Sequence, residues 1–305
     1  MQRIYKLTPA IKDNLWGGNR LSEYGKKSSS DIIAESWELS FTNGGEASIE
    51  DGTPLPCAFD RSTWGTACQK FEFFPVLTKF IDAREKLSVQ VHPSDEYALK
   101  NEGQYGKTEM WYVVSAKEGA GLYMGLREKC DKKTFSEAVN CGTVEELLSF
   151  VPVTGGEVFF IPSGTIHAIG EGCLIFEIQQ NSTLTYRLYD YMRRDKNGNL
   201  RELHVDKAMD VAILDKYEAV SNDGENPNVI GKCEYFEASK YKLNFTNLDI
   251  FVDKSSFVAI TAISGEGTID GERIVKGDTY FIPAGSGKIV VTTDTSLEII
   301  TVRVP

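Results

Sequence analysis

The sequence predicts an all-β protein made of two barrels of one kind, the first carrying a small helical insert. Short apolar runs recur along the chain, broken by Gly, Pro, Asn and Asp. Such a density of short strands is the pattern of sandwiches and barrels. The segment Gly156-Glu-Val-Phe-Phe-Ile-Pro162-Ser-Gly164 returns 121 residues later as Gly277-Asp-Thr-Tyr-Phe-Ile-Pro283-Ala-Gly285. Each copy reads as a turn, a strand and a Pro-x-Gly turn. Helical periodicity is confined to a few places.

Strands are predicted at 34–40, 76–81, 87–92, 110–115, 157–161 and 174–179, then at 257–263, 279–282 and 289–292. Ser94 follows Pro93 and suits the N-cap of a helix over 94–100. Residues 134–139 and 143–150 predict a pair of short helices, an insert near 131–150. The second opens on Thr143-Val-Glu-Glu146, a capping-box spacing. Residues 203–214 predict one more helix. The polar stretch 221–229 reads as a linker, dividing a first domain at 1–220 from a second at 221–305. In the second copy of the repeat Lys288 stands where the first has His167, and no histidine follows His204. The second barrel is therefore expected to be a degenerate copy without metal ligands.

Composition narrows the function. The chain has 305 residues, 41% of them hydrophobic, enough for one large or two moderate cores. Its net charge of −11 argues against nucleic acid or an anionic membrane as partner. An anionic small molecule stays open, since a few local Lys and Arg hold a phosphate. The first residues lack the apolar core of a signal peptide, and no apolar run nears the ~18 residues a membrane span needs. Six scattered cysteines without a CxxC pair read as reduced thiols, hence a cytoplasmic protein. A monomer and a homodimer are both compatible with this composition.

Two segments carry the chemistry. One reads Ser88-Val-Gln90-Val-His92-Pro93, followed by Gly106-Lys-Thr-Glu109; the other reads Phe160-Ile-Pro162-Ser-Gly164-Thr-Ile-His167. Two of the chain's three histidines sit there. Alternation along a strand puts Gln90 and His92 on one face. Two imidazoles, a carboxylate and an amide oxygen suit a catalytic divalent metal, most often zinc, with one position open. The bland reading makes His92 and His167 satisfied core histidines, Glu109 an exposed strand charge and Gln90 a partner of metal-bound water.

These motifs resemble the cupin superfamily and, within it, class I mannose-6-phosphate isomerases in their short bacterial form. The resemblance runs through Leu15-Trp16-Gly17-Gly18, Glu35-Ser-Trp37-Glu38-Leu-Ser40, Phe74-Pro-Val-Leu-Thr-Lys79 and the two metal segments. It continues in Thr185-Tyr-Arg187-Leu-Tyr-Asp-Tyr191 and Arg201-Glu-Leu-His-Val205. It implies a double cupin and reversible isomerisation of mannose 6-phosphate and fructose 6-phosphate through a cis-enediol. It implies one Zn2+ held by Gln90, His92, Glu109 and His167, with Arg187 at the active site. Lys107 is implied as acid/base, and Lys79 and Ser88 as substrate or phosphate contacts. The family commonly has an aspartate four residues before the arginine, where this chain has Thr183.

Several residues keep two readings. Arg187 lies among Tyr186, Tyr189 and Tyr191, so it either grips phosphate or packs on rings and pairs with Asp190. Lys79 is either an edge residue or a ligand contact. Lys107 is either a proton carrier or a solvated loop lysine, with Glu177, Asp190 and metal-bound water as rivals for the proton. Glu177 is also a candidate substrate contact. Trp16, Trp37 and Trp111 read first as core; of the three, Trp16 beside Gly17-Gly18 is the candidate to line the pocket mouth. Glu38 is a weak candidate for a substrate or supporting role, and His204 reads as structural. The rival functions are a sugar-phosphate-binding cupin without turnover and a metal-dependent cupin oxygenase.

Overall fold

The computed structural model describes residues 3–195, 197–218 and 226–305. Among the described residues strands hold 42% and helices 16%, so the all-β class holds. The described residues form two compact units. One comprises 3–12, 19–80 and 226–305; the other comprises 13–18, 81–195 and 197–218. These units divide the chain differently from 1–220 and 221–305. The expected linker falls partly outside the described residues, at 221–225, and its end enters the strand Val229–Lys232.

The reason for the different division lies in the first unit. Its strand Thr279–Ile282, from the second copy of the repeat, is flanked on both sides. Val258–Ile269 pairs with it antiparallel from Val258↔Ile282 to Thr261↔Thr279. The N-terminal strand Tyr5–Thr8 pairs with its other edge through Tyr5↔Phe281 and Lys6↔Tyr280. A buried strand with one open edge would leave N–H and C=O groups unmade. Residues at the far end of the chain satisfy them, and no local pattern reveals that. The rest of this sheet is built on the long strands Glu237–Val252 and Gly287–Arg303.

The repeat is real in the backbone. Val158–Ile161 and Thr279–Ile282 occupy equivalent positions. The glycines around them match too: φ is +98° and +91° at Gly156 and Gly277, and +85° and +81° at Gly164 and Gly285. That conformation is accessible at little cost only without a Cβ. The chemistry is not repeated. Ile161 pairs with Glu109, whereas its counterpart Ile282 pairs with Val258. Val258 belongs to an apolar core with Ile4, Ile260, Tyr280, Ile289 and Ile299. Lys288, in the place of His167, is half-exposed and pairs with Asp249 at 2.7 Å. Glu38 also belongs to this unit. It is fully buried and takes bonds from Lys26 (2.7 Å), Ser36 (2.6 Å) and Thr279 (3.0 Å). A buried carboxylate tied this completely is a structural element.

The second unit holds the metal segments. Its five-stranded sheet runs in the order Tyr186–Tyr189, Val89–Val91, His167–Ile169, Gly121–Leu126, Leu148–Pro152. Beside it, Glu109–Ala116 lies between Val158–Ile161 and Cys173–Gln180. One face of the five-stranded sheet presents Val89, Val91, Ile166, Ala168, Tyr186 and Leu188 to a core closed by Phe135, Val139 and Ala208. Phe135 and Val139 come from the helix Lys132–Cys141 and Ala208 from Val205–Val211. By alternation, Gln90, His167 and Arg187 turn to the opposite face.

Two helix expectations need revision. Ser94 is the N-cap of Asp95–Asn101, but its side chain caps nothing. Residues 143–150 do not form a helix. Val144–Leu147 is a single 3-10 turn, and Leu148–Pro152 is a strand paired with Gly121–Leu126. Thr143 makes no side-chain capping bond. The sheet edge at Gly121–Leu126 offers a ladder that a second helix could not use, so pairing overrides the local capping signal. The first helix of the insert is capped as its sequence allows, with Asp131 accepting from Lys133 and Thr134 N–H. All six cysteines are free.

Candidate active site

The two metal segments meet in the second unit. His167 pairs with Gln90 across adjacent strands, and Gly164 N–H donates to His92 C=O at 2.8 Å. The Pro-Ser-Gly turn thereby locks one segment to the other. Glu109 begins its strand opposite Gln179 and Ile161. His92, Glu109 and His167 are buried, and their ligand atoms lie within 4.8 Å of one another. Glu109 bridges the imidazoles: Oε2 is 3.5 Å from His92 Nε2, and Oε1 is 3.3 Å from His167 Nε2. Donors around a tetrahedral ion at about 2.0–2.1 Å stand roughly 3.3–3.4 Å apart. Each imidazole stands near that distance from one Glu109 oxygen, the group as a whole spans up to 4.8 Å, and two imidazoles with a carboxylate fit a metal ion on chemistry.

Each imidazole is fixed from behind. His92 Nδ1 bonds Leu184 C=O at 2.8 Å, and His167 Nδ1 bonds Thr165 C=O at 2.9 Å. A carbonyl only accepts, so each Nδ1 carries the proton and each Nε2 offers its lone pair inward. Burial pushes the His167 imidazole down to about 4, with the Lys107 charge adding to the shift. The ring is therefore neutral near pH 7, the form a metal binds.

Gln90 lies beside the group. Its amide lies 3.3 Å from His167 Nε2, with Ser88 Oγ 3.3 Å from its other end. With the amide turned so that Oε1 faces inward, Nε2 donates to Ser88 Oγ and the oxygen joins the donors. Ser88 thus touches Gln90. Lys107 is no solvated loop residue; it is 4% exposed. Its Nζ sits 2.5 Å from Glu109 Oε2, 3.2 Å from His92 Nε2 and 3.8 Å from Glu177 Oε1. Glu177 is buried and accepts from Trp111 Nε1 at 2.9 Å. Trp111 also packs edge-on against His167, with ring centroids 5.3 Å apart. On sequence Trp111 reads as core; the signal for its place here was its period-two spacing from Glu109.

Arg187 lies directly opposite Gln90 on the neighbouring strand, so both side chains share a sheet face. Its Nη1 donates to Glu202 C=O at 2.8 Å. Burial, then the charges of Arg201 and Arg193, lower its pKa. Asp190 pairs with Arg193 and, at 3.6 Å, with Arg201. His204 accepts from Arg187 N–H through Nδ1 at 3.3 Å, which fits its structural reading. Thr183 is exposed and bonds Gln104. Trp16 is buried, 3% exposed, which suits the core better than a pocket mouth. Lys79 belongs to the other unit, 3.5 Å from Glu35 and 5.5 Å from the centre of the Trp37 ring.

Comparison with known proteins gives one answer. The model of the phosphomannose isomerase type I catalytic domain matches residues 4–112. Mannose-6-phosphate isomerase ManA of Bacillus subtilis is 36% identical over 297 residues, covering 92% of this chain and 93% of that protein. The mannose-6-phosphate isomerase of Streptococcus mutans is 35% identical over 293 residues, with 91% of each covered. The crystal structure of the Bacillus subtilis mannose 6-phosphate isomerase superposes with a TM-score of 0.87 and 31% identity over 99% of both chains. With relatives this similar along nearly its whole length, and with the buried His-Glu-His group in place, the chain belongs to the type I phosphomannose isomerase family.

Proposed function

We propose that this protein is a zinc-dependent aldose–ketose isomerase that interconverts mannose 6-phosphate and fructose 6-phosphate. The observation that carries the reading is the convergence of His92 Nε2, His167 Nε2 and Glu109 around one point, in a chain of this family. Gln90 is the fourth ligand candidate. Two neutral imidazoles and one carboxylate leave a divalent ion about one net positive charge. When bound, such an ion supplies Lewis acidity toward a sugar carbonyl.

The rest is the work of side chains. Isomerisation moves a proton between C2 and C1 of the open-chain sugar through a cis-enediol. Lys107 Nζ carries that proton, because it is the buried amine at the donor group. Glu177 stands 3.8 Å from it and adds a second counter-charge to that of Glu109. Arg187 grips the phosphate. Arg193 and Arg201 pair with buried Asp190, and Arg187 faces the charges of Asp190 and Glu202; three guanidiniums against two carboxylates leave positive charge for an anion. Holding the phosphate aligns C1 and C2, so remote binding energy helps orient the reacting carbons.

The test is turnover of mannose 6-phosphate before and after chelation, with zinc and iron added back separately. Solvent deuterium at C1 or C2 of the product is the second readout. Activity lost to chelator and restored by zinc supports the reading. Zinc-loaded protein that binds the sugar phosphate without deuterium exchange points to a binding protein. Activity on other substrates that needs iron and oxygen points to an oxygenase.

A further inference from the structure

Residues 106–108 precede the strand Glu109–Ala116 and are buried outside any ladder. Buried backbone N–H groups need partners, and three in a row find them here. Gly106 N–H donates to Asp95 Oδ1 at 2.7 Å, Lys107 N–H to Pro93 C=O at 3.0 Å, and Thr108 N–H to Gln180 Oε1 at 2.8 Å. The two side-chain acceptors are themselves joined, since Gln180 Nε2 donates to Asp95 Oδ1 at 2.8 Å. Gln180 N–H also donates to Thr108 C=O at 3.0 Å. The bonds close a ring around the Lys107 peptide. Asp95 opens the helix Asp95–Asn101, and Gln180 ends the strand Cys173–Gln180.

We propose that Asp95 and Gln180 are positioning residues, a clamp that fixes the backbone on either side of Lys107 and thereby sets where its ammonium stands. The inference rests on the isomerase reading given above. Neither residue contacts the reacting atoms. Lysine carries its charge on a flexible four-carbon stem with many rotamers, so its reach is only as well defined as its root. Tying that root to a helix start and a strand end places it on rigid elements. Simple satisfaction of buried N–H groups would require no bond between the two acceptors.

The experiment compares wild type with Asp95→Ala, Asp95→Asn and Gln180→Glu. Asparagine keeps the oxygen that accepts both bonds at 95. Glutamate at 180 keeps the acceptor for Thr108 but turns a donor into a second carboxylate facing Asp95. Amide hydrogen exchange at 106–108, metal per chain, and kcat and KM for mannose 6-phosphate are measured on each. Asp95→Ala and Gln180→Glu should speed exchange at 106–108, retain metal, hold KM within about twofold and lower kcat roughly 10- to 100-fold. Asp95→Asn should restore kcat. Should Asp95→Ala fail to fold, Gln180→Glu carries the test. Unchanged exchange, unchanged kcat with faster exchange, or kcat lost only together with metal each overturns the clamp. A metal-loaded wild type without turnover sinks the isomerase reading and the positioning role with it; an active wild type with an unmoved Asp95→Ala sinks the clamp alone.

Discussion

Gly106→Ala puts one methyl group into the turn that delivers Lys107. A Cβ at Gly106 would stand 2.5 Å from Pro93 O, 2.5 Å from Ser94 C and 2.6 Å from Asp95 N. All three are backbone atoms, so no side chain can swing away. Gly106 is not among the residues of positive φ, which leaves steric overlap as the whole effect. Ordinary contact begins near 3.4 Å, so the two backbone segments must part by about 0.9 Å. Overpacking of that kind costs about 1–3 kcal/mol. For a unit of this size it lowers Tm by roughly 2–12 °C. The same displacement moves the root of Lys107, and a misplacement near 1 Å costs about 10²-fold in rate. Glu109 and His167 open their own strands, and His92 is held by its Nδ1 bond to Leu184 C=O and by Gly164 N–H, so metal content should hold. Calorimetry, metal analysis and steady-state kinetics on one preparation read all three. Wild-type kcat together with wild-type Tm would refute the steric argument and the placement of Lys107 with it.

His92→Ala and His167→Ala should each abolish metal retention and turnover; full activity in either variant would remove the metal assignment. Lys107→Met should keep metal and lower kcat about 10²–10⁴-fold, the range for a lost general acid–base group. Arg187→Ala should keep metal and raise KM for phosphorylated sugar, with inorganic phosphate losing its ability to compete; unchanged phosphate inhibition would break the grip assignment. Burial holds the His167 imidazole down to about 4 from the usual 6.5. In chelated protein the unfolded chain takes up that proton as pH falls below about 6.5 while the native state does not. Stability is therefore lost between about pH 6.5 and 4, by about 3 kcal/mol on this account. Urea unfolding of chelated wild type and His167→Gln at both ends of that window should show a smaller drop in the variant. Equal drops would refute the burial argument.

What the sequence disclosed depended on whether the determining contact was local. Ser88-Val-Gln90-Val-His92 needs only the alternation of a strand to turn its polar side chains together. With Val89 and Val91 committed to the apolar cluster, Gln90 had one face left. The repeat was equally legible, because its two glycine turns impose the same φ on both copies. The strand that replaces the expected second helix of the insert was not legible. Thr143-Val-Glu-Glu146 is a good capping signal, and it lost to a ladder with Gly121–Leu126 that lies outside the local window. The division of the chain failed to show for the same reason, since Tyr5–Thr8 pairs with a strand more than 270 residues away.

The supporting residues of the site illustrate the same limit at closer range. Leu184 and Thr165 act through backbone carbonyls, which no residue type announces. Asp95 looks in sequence like the first acidic residue of a helix, well placed for the helix dipole. Gln180 looks like the polar end of a strand. Only folding brings them together, through one bond of 2.8 Å beneath Lys107. A site of this kind has two layers of information. Ligand identity is written in residue type and strand period, whereas ligand precision is written in contacts between segments distant in sequence. Substitutions that preserve the ligands can therefore still change the rate, and Asp95→Ala against Asp95→Asn is the pair that separates the two layers.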